Sequence, residues 1–214
     1  MQTFPEHLIF DFGGVLLDID IHVTIEAFEK LGIEIPDKRE IHPNNSGIFL
    51  AMELGEITPE EFINTLISYA KSESKPTYDQ VEAAWNALLL PFNWSNFELL
   101  DELRCKGHKT HLLSNTNLIH HLYFEELFNK TNPWGRRFDS FFDSVHYSDV
   151  MKMRKPNLEI YERVAQLIGS PDPSQMLFID DNAPNLDAPA SLGWRTHHLK
   201  SPQTVHDLFN PQSL

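Results

Sequence analysis

Three apolar runs in this 214-residue chain stop at residues that can do chemistry. Leu8, Ile9 and Phe10 lead to Asp11. "THLL" leads to Ser114-Asn115-Thr116-Asn117, and "MLFI" to Asp180-Asp181-Asn182. In "MRKP", Lys155 precedes Pro156, which restricts Lys155 to extended backbone and suits the start of the helix that follows. A single polar strand end is ordinarily a helix cap or a turn former. Three carboxylates and a hydroxyl along one edge ask for another account. Carboxylates at close quarters repel and raise one another's pKa unless a cation lies between them. Oxygen-only ligands with room for water suit Mg²⁺. A lysine fixed against such an edge is a phosphate-binding arrangement.

These groups meet only if the three runs are neighbouring strands. Residues 7–11, "THLLS", "SVHY" at 144–147, "MLFID" and "WRTHHL" read as strands, each short, apolar and bounded by turn residues or a change of period. Between the first two lies a block with helical spacing. Val23, Ala27 and Leu31 recur every fourth residue ahead of Gly32. "TPEEF" and "TYDQ" are helix starts with capping boxes at Thr58–Glu61 and Thr77–Gln80. "HPNNSG" at 42–47 reads as a loop. Leu158, Tyr161, Val164, Ala165 and Ile168 mark one face of a later helix. Helix and strand then alternate to the end. The reading is an α/β fold: a Rossmann-like parallel sheet flanked by helices, with an inserted all-helical subdomain. The core comprises 1–18 and 91–214, and the insertion 19–90. In such sheets ligands bind beyond the carboxyl ends of the strands, where the three polar ends lie.

A formal charge of −14 disfavours nucleic acid and anionic lipid as partners. No apolar run reaches the ~20 residues of a membrane helix. The single cysteine, Cys105, and a start without a basic, apolar leader fit a reduced, cytoplasmic setting. His120-His121 and His197-His198 are adjacent, so their side chains diverge and miss metal-ligand spacing.

Asp11-Phe12-Gly13-Gly14-Val15-Leu16, Ser114 after "HLL", Lys155 in "RKP" and "FIDDNAPN" resemble, in order, the four motifs of the haloacid dehalogenase (HAD) superfamily. The helical block sits where that superfamily carries its type 1 cap. Within the superfamily the motifs look most like the bacterial α-D-glucose-1-phosphate phosphatase group. The resemblance implies a phosphomonoester hydrolase acting on a small phosphorylated metabolite. Asp11 would be the nucleophile and would form an aspartyl phosphate. Mg²⁺ would be held by Asp11, the Gly13 carbonyl and Asp181. Lys155, the Ser114 hydroxyl and the Asn115 backbone N–H would hold phosphoryl oxygens. Asp180 would either ligate the metal through water or orient Lys155, and Asn185 stands where many relatives have another acid.

Gly13 departs from the pattern. Most family phosphatases have an Asp there, which protonates the leaving oxygen and then activates water. Its absence implies an easily departing leaving group, such as the anomeric oxygen of a sugar 1-phosphate. Stand-ins for the missing acid are Asp18, Asp20, His22, Glu53 and Glu56, each of which also has an ordinary reading as a solvated or capping side chain. Rival functions are a 2-haloacid dehalogenase, using the same aspartate on carbon without metal, and a catalytically inactive HAD-fold binding protein.

Overall fold

The computed structural model describes residues 4–35, 47–71, 75–169 and 171–209. Five strands, β1 (His7–Phe10), β2 (Lys109–Ser114), β3 (Ser144–Tyr147), β4 (Met176–Asp180) and β5 (Arg195–His198), pair in the order β3-β2-β1-β4-β5. Every pairing is parallel. Parallel sheets are covered on both faces, and alternate residues serve each face. Leu8, Phe10, Leu112, Leu177 and Ile179 enter one buried apolar cluster. Ile9, Leu113, Met176 and Phe178 enter another on the opposite face. The central strand β1 is buried throughout and lies between β2 and β4. Chain order reverses there, so a crevice opens at its carboxyl end.

Helices α1 (Ile21–Lys30), α2 (Gly47–Glu53), α3 (Pro59–Ser68), α4 (Tyr78–Asn86) and α5 (Trp94–Cys105) lie between β1 and β2. The long α6 (Leu118–Thr131) follows β2. The short α7 (Ser148–Met151) and α8 (Leu158–Leu167) separate β3 from β4, and α9 (Asp187–Ser191) and α10 (Val205–Phe209) flank β5. The first four helices enclose an apolar cluster of their own, built on Phe28, Phe49, Phe62, Leu66, Val81 and Trp85. Ile33, Ile35, Ala70 and Leu88 join it from the connections around these helices, and Ile119 joins it from α6. The two connecting strands run side by side: Ile19 bridges antiparallel to Leu89, the Asp20 N–H donates to the Leu88 carbonyl, and the Leu90 N–H donates to the Asp18 carbonyl.

Both capping boxes form. Thr58 and Glu61 exchange bonds at the start of α3, and Thr77 and Gln80 do so at the start of α4. Each such cap stabilises its helix by roughly 1 kcal/mol. Three expectations need correction. The fully buried residues of α1 are Thr24 and Phe28; Ala27 and Leu31 pack partly buried against the same cluster, and Val23 is exposed. Thr24 goes inside because its hydroxyl lies 3.0 and 3.1 Å from the Ala84 and Trp85 carbonyls of α4. In α8 the buried residues are Ile160, Tyr161 and Val164, while Leu158 is exposed. Pro156 does not open α8: it follows Lys155 through a cis peptide bond in a turn, and α8 begins at Leu158. Of the loop expected at 42–47, residues 42–46 lie outside the described residues, and Gly47 opens α2.

Candidate active site

Asp11 follows β1, Ser114 ends β2 and Asp180 ends β4, so adjacent strands deliver all three to one edge. The turn after β1 is narrow because Asp181 presses on it. Gly14 has φ +73°, and a Cβ there would overlap the Asp181 carboxylate. Only glycine satisfies both demands.

Lys155 is 1% exposed, and its ammonium lies 2.8 Å from Asp11 Oδ1 and 2.7 Å from Asp180 Oδ2. Its backbone is fixed by Asn115. The Lys155 N–H donates to Asn115 Oδ1 at 2.9 Å, and Asn115 Nδ2 donates to the Lys155 carbonyl at 2.9 Å. This pairing ties the loop after β2 to the turn before α8. The Asn115 side chain therefore has a structural task that the sequence reading did not assign.

Asp180 is fully buried and amply bonded. Its Oδ1 accepts from the Asn182 N–H at 2.8 Å, and Asn185 Nδ2 reaches Oδ1 and Oδ2 at 3.1 and 3.0 Å. Asp180 thus meets Lys155 through Oδ2 and also belongs to the carboxylate cluster at this edge. The amide of Asn185 supplies donors where an acid would have repelled. Asp11 Oδ1 also accepts from the Phe12 N–H at 2.7 Å. The Phe12 N–H and the Lys155 ammonium both meet Asp11 at Oδ1, which leaves Oδ2 for a metal or an electrophile. Ser114 is buried at the same edge.

The charges do not balance within the cluster. Burial pushes the Asp11 carboxyl well above the ordinary carboxylate range, and Asp180 and Asp181 add to the rise while Lys155 opposes it. Burial also raises Asp181, again with help from Asp180. For Lys155, burial pulls the ammonium down, but Asp11 and Asp180 outweigh it and the net shift is upward. The lysine therefore stays charged. When all three carboxylates are ionised, one ammonium leaves two negative charges, and the raised Asp11 and Asp181 carboxyls reflect that excess. Asp11, Asp180 and Asp181 each offer an oxygen, all within 4.8 Å of one another. An oxygen-only cluster with this excess fits a hard divalent cation.

The five stand-ins separate. Asp20 caps α1 by accepting from the His22 N–H at 2.9 Å. Asp18, His22 and Glu56 are exposed. Glu53 is not: its side chain is 12% exposed and pairs with Arg154 at 2.7 Å. At Gly13 a Cβ would stand 3.1 Å from Ile19 Cδ1, so the position expected for an acid faces an isoleucine. His120 and His121 diverge, to Asn86 and Asp149 respectively.

Comparison with known proteins gives the family of the chain. The model of the haloacid dehalogenase-like hydrolases matches residues 5–193. A D-ribitol-5-phosphate phosphatase of Bacteroides thetaiotaomicron is 29% identical over 194 residues, covering 89% of this chain and 90% of that protein. A sesquiterpene phosphatase of Aspergillus oryzae is 29% identical over 206 residues, covering 93% and 92%. A HAD family enzyme of B. thetaiotaomicron, solved with magnesium and inorganic phosphate, superposes with a TM-score of 0.84. It is 32% identical and covers 96% of this chain and 100% of its own. The chain belongs to the haloacid dehalogenase-like hydrolases.

Proposed function

We propose, with membership of that family as the premise, that this chain is an Mg²⁺-dependent phosphomonoester hydrolase working through an aspartyl phosphate on Asp11. The observation that carries the reading is the buried contact of Lys155 with Asp11 beside Asp181 at the strand edge. Asp11, the Gly13 carbonyl and Asp181 would hold Mg²⁺, which when bound neutralises charge on the carboxylates and on the phosphoryl group. Asp11 attacks phosphorus, and the bond to the leaving oxygen breaks. Lys155 holds the nucleophile and offsets phosphoryl charge, with Asp180 fixing its ammonium and Asn185 fixing Asp180. The Ser114 hydroxyl and the Asn115 N–H bind phosphoryl oxygens. Water then releases phosphate and restores Asp11. Phosphoryl transfer asks chiefly for such positioning and charge neutralisation.

Residues 19–90 are read as a cap over a core of 1–18 and 91–214, a division supported by the separate apolar cluster and the paired connectors. The substrate is a small phosphorylated carbohydrate. A sugar 1-phosphate is supported by the missing carboxylate at Gly13. A primary phosphate of a sugar alcohol is supported by the name of the Bacteroides relative.

The test is phosphate release from glucose 1-phosphate, glucose 6-phosphate, ribitol 5-phosphate and p-nitrophenyl phosphate, with Mg²⁺ and with EDTA. Release is expected with Mg²⁺ and not with EDTA, and Asp11→Asn is expected to abolish it. Unchanged turnover in that variant would exclude the mechanism.

A further inference from the structure

The site as described has a nucleophile and positive charge, but nothing at Gly13 to move a proton. The helical block brings a carboxylate beside the turn that carries Lys155. Glu53 is the last residue of α2. Its side chain meets Arg154, the residue before Lys155, and both side chains are 12% exposed. Its main chain is held as well. The Ser148 hydroxyl lies 2.9 Å from the Glu53 carbonyl and 2.8 Å from the Thr116 carbonyl, and accepts from the Thr116 N–H at 2.9 Å. Thr116 lies two residues beyond Ser114, so one hydroxyl joins the cap to the loop beside the phosphate edge. The turn after Glu53 is seated on the core too. Lys152 donates to the Gly55 carbonyl, and a Cβ at Gly55, where φ is +60°, would overlap Lys152 and the Asp149 carbonyl.

We propose that Glu53, carried to the phosphate edge by the cap, is the proton-transfer residue of this hydrolase in place of the acid missing at Gly13. The inference rests on the phosphatase reading and deepens it. In the first half, an Asp11 oxygen bonds to phosphorus. The bond from phosphorus to the leaving oxygen breaks with its electron pair, and that oxygen takes the Glu53 carboxylic proton. In the second half, a water oxygen bonds to phosphorus. The bond from Asp11 to phosphorus breaks, its electron pair returns to Asp11, and the Glu53 carboxylate takes the proton from water. Arg154 is a positioning residue that aims Glu53. With an internal acid, the enzyme is not limited to easily departing groups, and the primary phosphate of a polyol falls within reach.

Electrostatics supports the assignment. Burial raises the Glu53 carboxyl to about 7, against the pull of Arg154 and Lys155. A general acid works best with a pKa near the working pH. The charged and titratable groups packed around it are Arg154 and Lys155 before α8, Lys152 and Asp149 at α7, and His121, which pairs with Asp149.

The experiment compares native protein with Glu53→Gln on ribitol 5-phosphate and p-nitrophenyl phosphate, measuring kcat/KM, pre-steady-state bursts and pH profiles. The alkyl ester needs a proton on its leaving oxygen and the aryl ester does not. Glu53→Gln should lower kcat/KM on ribitol 5-phosphate by about 10²–10⁴-fold and on p-nitrophenyl phosphate by less than about tenfold. A burst of p-nitrophenolate should appear in the variant, because aspartyl-phosphate hydrolysis then lacks its base. Native kcat/KM on the alkyl ester should fall as pH rises through about 7, as Glu53 loses its proton.

Equal losses on the two esters, or no burst, would make Glu53 structural and overturn the proposal while the phosphatase reading stands. So would a native enzyme that hydrolyses the aryl ester and neither ribitol 5-phosphate nor glucose 6-phosphate. If Glu53→Gln does not fold, the native pH profile decides, and a profile without the alkaline fall overturns the proposal. No release from any ester removes the phosphatase reading and this one together.

Discussion

Ile19 decides what Gly13 can become. A side chain at position 13 starts 3.1 Å from the Ile19 methyl, closer than carbon atoms rest. Placing the ordinary family carboxylate there requires the half-exposed Ile19 side chain to give by a few tenths of an ångström. In a Glu53→Gln background, Gly13→Asp alone should raise kcat/KM on ribitol 5-phosphate by no more than about threefold, and adding Ile19→Ala should raise it by about 10²-fold. Equal gains with and without Ile19→Ala would show that Ile19 does not block the position. Asp11, Ser114 and Asp180 are legible in the sequence because three apolar runs end in them together, and a cap or a turn accounts for one such end but not for the set. Glu53 is harder to read. In sequence it sits near a turn glycine like any solvated acid, and its partner Arg154 comes from 101 positions away. The obstruction by Ile19 is equally invisible, since it depends on how the chain turns back after Leu17.

At the scale of elements, the strands carry a polar row that the sequence reading missed. His7 Nδ1 on β1 lies 3.0 Å from His111 Nε2 on β2. His111 Nδ1 lies 2.7 Å from Ser144 Oγ on β3, which lies 2.8 Å from His146 Nε2. Burial lowers His111 and His146 to about 4 and lowers His7 as well, with neighbouring histidines opposing a second charge on His111. The folded values lie below the unfolded one. The row's contribution is therefore intact above about pH 6.5 and is lost as pH falls toward about 4. Raised carboxyls such as Glu53 act in the opposite sense, and they are common to any pair of variants compared. Urea midpoints between these pH values should fall on acidification, and His111→Gln should flatten the fall by on the order of 1–3 kcal/mol. An unchanged slope would mean that the row is already charged when folded. The strand boundaries and both capping boxes are legible because local chemistry sets them. The face of α1 is not, because Thr24 is buried by carbonyls of α4, 60 positions away. The short helices α2, α7, α9 and α10 hold too few turns to carry a period.

Over the whole molecule, the apolar cluster of the first four helices is joined to the sheet and its two clusters by paired connectors, Ile119, and the seam of Ser148, Lys152 and Arg154 against α2 and its following turn. The carboxylate edge lies at the core side of this seam, with two uncompensated negative charges once all three carboxylates are ionised. Self-repulsion on that scale opposes folding until a cation arrives. Removing one carboxylate should therefore stabilise the metal-free protein while depriving it of metal binding. Asp181→Asn is the suitable change, because Asp181 is the more exposed of the three carboxylates and is not bonded to Lys155. In EDTA the variant should melt above the native protein. Saturating Mg²⁺ at about 100 times its Kd should add roughly 2.7 kcal/mol to the native protein, or about 5–10 °C in Tm for a chain of this size, and almost nothing to the variant. The order of the two melting temperatures then reverses on adding metal. Both proteins rising equally would place the cation elsewhere. A variant that melts lower in EDTA as well would mean that Asp181 serves the fold through contacts rather than opposing it through charge. A calorimetric scan of the two proteins in the two buffers separates these outcomes without any substrate.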